Sequence, residues 1–187
     1  MKEAMRNFFG FIWELFKIAV IALVLAGLAR YFIFQPFFVK GASMEPNFDD
    51  GQYLIVDELS YYFRTPERGE VIVFKYPLDT RTYYIKRIIG LPGETVEIKS
   101  GQVNVYNDEN PKGFVLNEAY LPQGLATDGN VKQRLNRDEY FVLGDNRLSS
   151  SDSRRWGVLP KSDIVGRVFV RVWPVDTFEL LNQAPAY

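Results

Sequence analysis

Residues 83–94 read Tyr-Tyr-Ile-Lys-Arg-Ile-Ile-Gly-Leu-Pro-Gly-Glu. From Tyr83 to Ile89 aromatic and β-branched residues dominate, and Gly90-Leu91-Pro92-Gly93 stops the run, which is the pattern of a strand ending in a turn. Side chains alternate along a strand, so Tyr84, Lys86 and Ile88 share one face and Ile85, Arg87 and Ile89 the other. Working outward, the same composition recurs at Gln52–Val56, Glu70–Tyr76, Thr95–Ile98, Gln102–Tyr106, Glu139–Leu143 and Ile164–Trp173, each bounded by Gly, Pro, Asp or Asn. Lys99-Ser100-Gly101 suits a hairpin turn between two of these strands. No helical period of 10–15 residues separates the strands, so the chain is mainly β and not a βαβ protein. Residues 107–138 are polar with scattered Gly and Pro and form an insertion or small subdomain on that β core.

The N-terminal end is different. Phe8 to Ala29 reads FFGFIWELFKIAVIALVLAGLA, with Glu14 and Lys17 as its charges. As a helix it spans roughly 33 Å, enough for a ~30 Å hydrocarbon core. Glu14 and Lys17 lie one turn apart and can pair. Gly27-Leu28-Ala29 would also suit a leader cleavage site, but the stretch is long for a cleaved signal and Tyr31-Phe32-Ile33-Phe34 extends it. The layout read from this is a cytoplasmic N-terminus over residues 1–7, a single-pass anchor over 8–29 and an extracytoplasmic β domain over 30–187. Lys2 and Arg6 before the anchor agree with that orientation. Pro36 ends any helix, and the aromatic and apolar stretch Phe32–Val39 suits the headgroup level of a bilayer.

Composition narrows the chemistry. The 187 residues contain no His and no Cys. That excludes a Ser-His-Asp triad, a Cys-His dyad, a disulfide and His- or Cys-ligated zinc. Basic and acidic residues balance, 22 against 23, so nothing points to nucleic acid. An acid–base group has to be Lys, Asp, Glu or Tyr, and neither a metal nor a cofactor is expected.

Three segments carry reactive residues. In Gly41-Ala42-Ser43-Met44-Glu45-Pro46, Ser43 sits among small, turn-forming neighbours that leave its hydroxyl reachable, and backbone N–H groups at such a turn can form an oxyanion hole. In the strand around Lys86, a Lys between Tyr84 and Ile88 either keeps its head in water or is desolvated. Burial lowers a Lys pKa, and a base working near neutral pH needs a drop of roughly 2–3 units from ~10.4. The third segment, Gly144-Asp145-Asn146-Arg147-Leu148-Ser149-Ser150-Ser151-Asp152-Ser153-Arg154, is a polar loop at a strand end, suited to hydrogen-bonded support.

Taken in this order behind a membrane segment, the three segments resemble the boxes of the type I signal peptidases, membrane-anchored Ser-Lys endopeptidases. The single anchor and small insertion are most similar to the Gram-positive branch. The resemblance implies a signal-peptidase/repressor-protease-like β catalytic domain that removes signal peptides from secretory preproteins after small-x-small sites. It implies Ser43 as nucleophile and Lys86 as neutral general base, with Ser150 orienting Lys86. Asp152 with Arg154, and Asp145 with Arg87, would brace the site as ion pairs. The oxyanion donors would be the backbone N–H groups of Ser43 and Gly41. Substrate pockets would be lined by Phe37, Val39, Met44, Tyr84 and Ile85, with the substrate added as a strand beside Tyr83–Ile85. The implied partners are preproteins and the lipid bilayer, with Tyr31–Phe38 and Tyr61-Tyr62-Phe63 as candidates for lipid contact.

The sequence departs from the family pattern at Gly41, where some relatives have a Ser, at Asn47, often Thr, and at Gly51-Gln52, usually Gly-Asp. Two rival readings are a Ser-Lys self-cleaving repressor, which would carry a DNA-binding module where this chain has its apolar segment, and an inactive membrane-tethered binding module.

Overall fold

A computed structural model describes the backbone of residues 2–32 and 34–181; ahead of Gln35 it describes side chains at residues 7, 9–25 and 27. The ends of the outermost expected segments, Met1 and residues 182–187, lie outside the described residues, as do Ile33 and the side chains of Tyr31, Phe32 and Phe34.

Helix α1, Lys2–Phe32, leads into strand β1, Phe34–Phe38. Among the described residues no helix is long and apolar enough to cross a membrane. The side chains of Phe9, Phe11, Trp13, Ile18, Leu23 and Leu25 are nonetheless all more than half exposed. Glu14 and Lys17 pair at 2.7 Å.

Every strand read from the sequence is present: β2, Tyr53–Asp57; β3, Val71–Tyr76; β4, Asp79–Gly90; β5, Thr95–Lys99; β6, Gln102–Tyr106; β9, Glu139–Leu143; and β11, Ile164–Trp173. β4 starts earlier than its composition suggests, because Asp79 already pairs with Tyr76 across the hairpin. The remaining strands are β1 and the short β7, Phe114–Val115; β8, Val131–Arg134; β10, Leu159–Pro160; and β12, Glu179–Leu180. The segment expected at headgroup level thus contains a strand. Pro36 is tolerated there because β1 is an edge strand, whose outward N–H groups need no partner.

Two sheets result. The larger runs β1-β2-β11-β3-β4-β9-β10, with β12 on β11; the smaller runs β7-β6-β5-β8. The small sheet therefore takes in Thr95–Tyr106 as well as part of the polar segment. Its Lys99–Gln102 hairpin turns through Ser100 and Gly101, both at positive φ, as a two-residue turn that matches strand twist requires.

Alternation is kept along β4. Ile88 packs with Ile72, Phe74, Tyr140, Val142 and Leu159, and Tyr84 lies against that cluster. Ile85 packs against a second cluster of Val39, Met44, Leu54, Val56, Val71 and Val73. Because this cluster joins the turn after β1 to the β3–β4 hairpin, the sheet curls and brings the Ser43 turn onto β4.

Candidate active site

Ser43 lies in the connection between β1 and β2. Main-chain bonds close that connection at its base, from Val39 N to Gln52 O at 2.9 Å and from Gly51 N to Val39 O at 3.0 Å. Met44 and Phe48, both almost fully buried, pin the turn to the core. Met44 is thus an anchor beneath the turn and not a pocket wall, contrary to expectation. The reason is one of geometry: in a tight turn that presents Ser43 outward, the next apolar side chain points inward.

Lys86 leaves the middle of β4 and is 3% exposed. Its Nζ lies 2.7 Å from Ser43 Oγ and 2.8 Å from the carbonyl oxygen of Ile85, and it sits 5.4 Å from the centre of the Tyr84 ring. Burial pushes its pKa down from 10.5 to about 8, against the pull of Asp152 and Asp145, which favour the charged form. Those two carboxylates have cations of their own. Arg87 donates to Asp145 through Nε at 2.9 Å and Nη2 at 2.6 Å, and Arg154 donates to Asp152 through Nε and Nη2, both at 2.8 Å. Burial alone would push the Asp152 carboxyl up; Arg154 and the Gly144 N–H together hold it below the usual range. Both expected ion pairs are therefore present, and each tempers a charge that would otherwise hold Lys86 protonated.

The loop after β9 grips the Ser43 turn. Asn146 N donates to Ser43 O at 3.1 Å and Asn146 Nδ2 to Ala42 O at 3.0 Å. A Cβ on Gly144 would collide with Ser150 and with the Ser43 carbonyl, so Gly is required where the two segments touch. Ser150 is buried, but its Oγ makes no hydrogen bond of ordinary geometry among the described residues. Among the described residues no hydrogen bond joins Ser150 to Lys86, whose Nζ contacts Ser43 and Ile85 instead. Gly41 also departs from expectation. Its N–H donates to Asp50 Oδ1 at 2.6 Å and is engaged, so it is not available to an oxyanion. The Ser43 N–H donates to no described group.

A cleft of 310 Å³ opens beside Ser43 and Lys86. Phe37, Val39, Tyr84 and Ile85 line it as expected, joined by Phe38, Leu54, Val73 and Tyr83. β9 pairs with β4 only from Arg87 to Gly90, which leaves that edge of Asp79–Lys86 open beside the cleft. A larger cavity of 480 Å³ lies behind the same turn, between Asn47, Arg87, Tyr120 and Arg171; neither Ser43 nor Lys86 lines it.

Sequence reasoning passed over several supporting residues. Asn146 and Arg147 stand inside the third segment but were given no role. Asn47 entered only as a departure from the family pattern, yet its Nδ2 donates to Asp145 Oδ2 at 2.8 Å and Tyr120 O at 3.0 Å. Tyr120, in the polar segment, carried no local signal at all. Tyr61, grouped with exposed aromatics, instead turns inward to donate to Glu70 at 3.0 Å, while Tyr62 and Phe63 are 81% and 83% exposed.

The family model for "Signal peptidase, peptidase S26" matches residues 12–173. The chain is 41% identical over 176 residues to the probable signal peptidase I-2 of Synechocystis sp., covering 90% of this chain and 77% of that protein. It is 37% identical over 170 residues to a signal peptidase I P of Bacillus subtilis subsp. natto, covering 86% and 88%. A signal peptidase IB of Staphylococcus aureus is 32% identical over 170 residues, covering 85% and 88%. The chain belongs to the signal peptidase family, peptidase S26.

Proposed function

We propose that this signal peptidase I, which removes signal peptides from preproteins, works through a Ser43–Lys86 dyad and cuts after small-x-small sites. The observation that carries this reading is the buried Lys86 Nζ at 2.7 Å from Ser43 Oγ. A Lys whose pKa is about 8 is partly neutral near physiological pH, and its lone pair takes the Ser43 proton as Oγ attacks the scissile carbonyl. The same proton passes to the leaving amine. The Ser43 N–H, unengaged among the described residues, donates to the oxyanion. An extended substrate adds to the open edge of β4, with small side chains facing Phe37, Val39 and Tyr83. Shallow apolar pockets there accept small side chains and reject large ones sterically.

The test is incubation of the purified protein with a secretory preprotein and mapping of the cut. Cleavage after a small-x-small site, abolished in both Ser43→Ala and Lys86→Ala, is expected. Unchanged cleavage in either variant overturns the dyad. Because Lys86 must be neutral, the rate should climb with pH through about 8; a flat profile down to about pH 5 rejects a Lys base.

The proposed layout has residues 1–7 cytoplasmic, 8–29 spanning the membrane and 30–187 outside, with residues 107–138 as an insertion on the catalytic domain. As a helix the apolar run from Phe8 to Ala29 reaches about 33 Å. Register supports lipid contact by Tyr62 and Phe63: Asp57 pairs with Phe34, so the turn that follows β2 lies at the sheet end where α1 enters. The chain has no Cys, so Phe63→Cys provides a single labelling site. A polarity-sensitive label there should report an apolar environment in proteoliposomes, and a fully aqueous signal rejects the contact.

A further inference from the structure

Tyr120 belongs to the polar segment between β7 and β8, yet it touches the second and third reactive segments and Asn47, the residue that follows the first. Its ring lies under the Arg87 guanidinium, 4.1 Å from ring centre to Cζ. Its hydroxyl accepts from Arg147 Nη2 at 3.0 Å and donates to Glu118 Oε1 at 2.7 Å. Its carbonyl oxygen accepts from Asn47 Nδ2 at 3.0 Å. Arg87 is the neighbour of Lys86 on β4, Asn47 closes the Ser43 turn through its N–H to Met44 O at 3.0 Å, and Arg147 holds Gly144 O at 3.1 Å. Arg147 is itself fixed to the polar segment through Glu118 and Thr127. Asp145 ties the arrangement together, accepting from both Arg87 and Asn47.

We propose that Tyr120 is a positioning residue that locks the Ser43 turn, the Lys86 strand and the loop after β9 in one register. The segment that resembles an insertion is then part of the catalytic apparatus. The proposal rests on the Ser43–Lys86 reading. Tyr120 does not line the cleft beside Ser43, so it acts on geometry and not on substrate contact. A neutral aromatic ring against the Arg87 guanidinium and a main-chain carbonyl suit this task, since Tyr120 fixes distance without itself adding net charge.

The lock also acts on Lys86. Charged groups around it are Asp145 and Asp152, which favour its protonated form, and Arg87 and Arg154, which neutralise those carboxylates; Arg147 lies beyond, and the Tyr84 ring stands on the same strand. Loosening the three segments admits water to Lys86 and frees Asp145 from Arg87. Both effects favour charged Lys86.

The experiment compares the full chain with Tyr120→Ala, Tyr120→Leu and Tyr120→Phe. Tyr120→Ala should lower kcat at pH 7 by about tenfold or more with KM held within about twofold. Part of the loss should recover at pH 9.5–10, because the acid limb moves up by about half a pH unit or more. All three variants keep the main-chain carbonyl; Tyr120→Phe also keeps the ring and should regain most of kcat. Tyr120→Leu keeps bulk without the stack and stands in for Ala should Ala not fold. The Lys86 side-chain resonance, titrated without substrate, should move the same way, and this readout does not depend on turnover. Failure of the function itself shows separately, as an inactive wild type or an active Ser43→Ala. Near wild-type kcat with an unmoved Lys86 midpoint in a folded Ala or Leu variant overturns the lock. So does a loss equal at pH 7 and pH 10 that follows only a lowered melting temperature.

Discussion

The two sheets of the β domain solve different problems. The small sheet buries Val96, Ile98, Val103 and Val105 and sends its charges, such as Glu97 and Lys132, to the other face. The large sheet, around β4 and β9, buries Lys86, Arg87, Asp145, Arg147 and Asp152. Burying a charge costs free energy unless it is paired and hydrogen-bonded, and four of these five are. Lys86 is the exception, with only neutral oxygens within reach. Apolar packing makes the small sheet a support; one unpaired buried cation marks where the large sheet gives up stability for reactivity.

Three substitutions sharpen or break this contrast. The largest effect is expected from Lys86→Met. Cleavage should fall by about 10³-fold or more while the folded state becomes more stable at pH 7. The folded Lys86 pKa of about 8 lies below the ordinary 10.5, so the unfolded chain binds the extra proton between these values. The penalty is complete below about pH 8 and fades as pH rises to about 10.5. Removing it should add up to about 3 kcal/mol at pH 7 and nothing above about pH 10.5. Denaturant melts across this range measure it, and a variant destabilised throughout would contradict the contrast. Next comes Asp145→Ala, which leaves Arg87 buried without its carboxylate and removes one of the two acceptors of Asn47 Nδ2. A loss of about 3–5 kcal/mol is expected, read from urea unfolding, and a loss under about 1 kcal/mol would show the pair to be hydrated. Ile98→Ala should cost about 3 kcal/mol through its cavity, with the pH profile of cleavage unchanged. A moved profile would show that the small sheet tunes the site after all.

Much of the strand framework was readable because period-2 alternation is local, and so is the hairpin turn at Ser100-Gly101. Ser43, Lys86 and the two Arg–Asp pairs were readable because they stand in short segments of distinctive order. What escaped depends on contacts between segments. Gly41 looked free to donate until Asp50 came back across the turn to accept from it. Met44 looked like a pocket wall until the curl of the sheet placed the core beneath it. The strand β1 was hidden because a Pro in an aromatic run reads as a breaker until its position at an edge is known.

The sequence by itself determined a mainly β chain behind a long apolar stretch, and a reaction that does without His or Cys, since those properties follow from composition and local spacing. Only the tertiary structure decided which neighbours Lys86 has, which N–H groups remain unengaged and that Tyr120 meets Asn47, Arg87 and Arg147 at once. Desolvation and hydrogen-bond geometry are set by residues that are close in space and far apart along the chain.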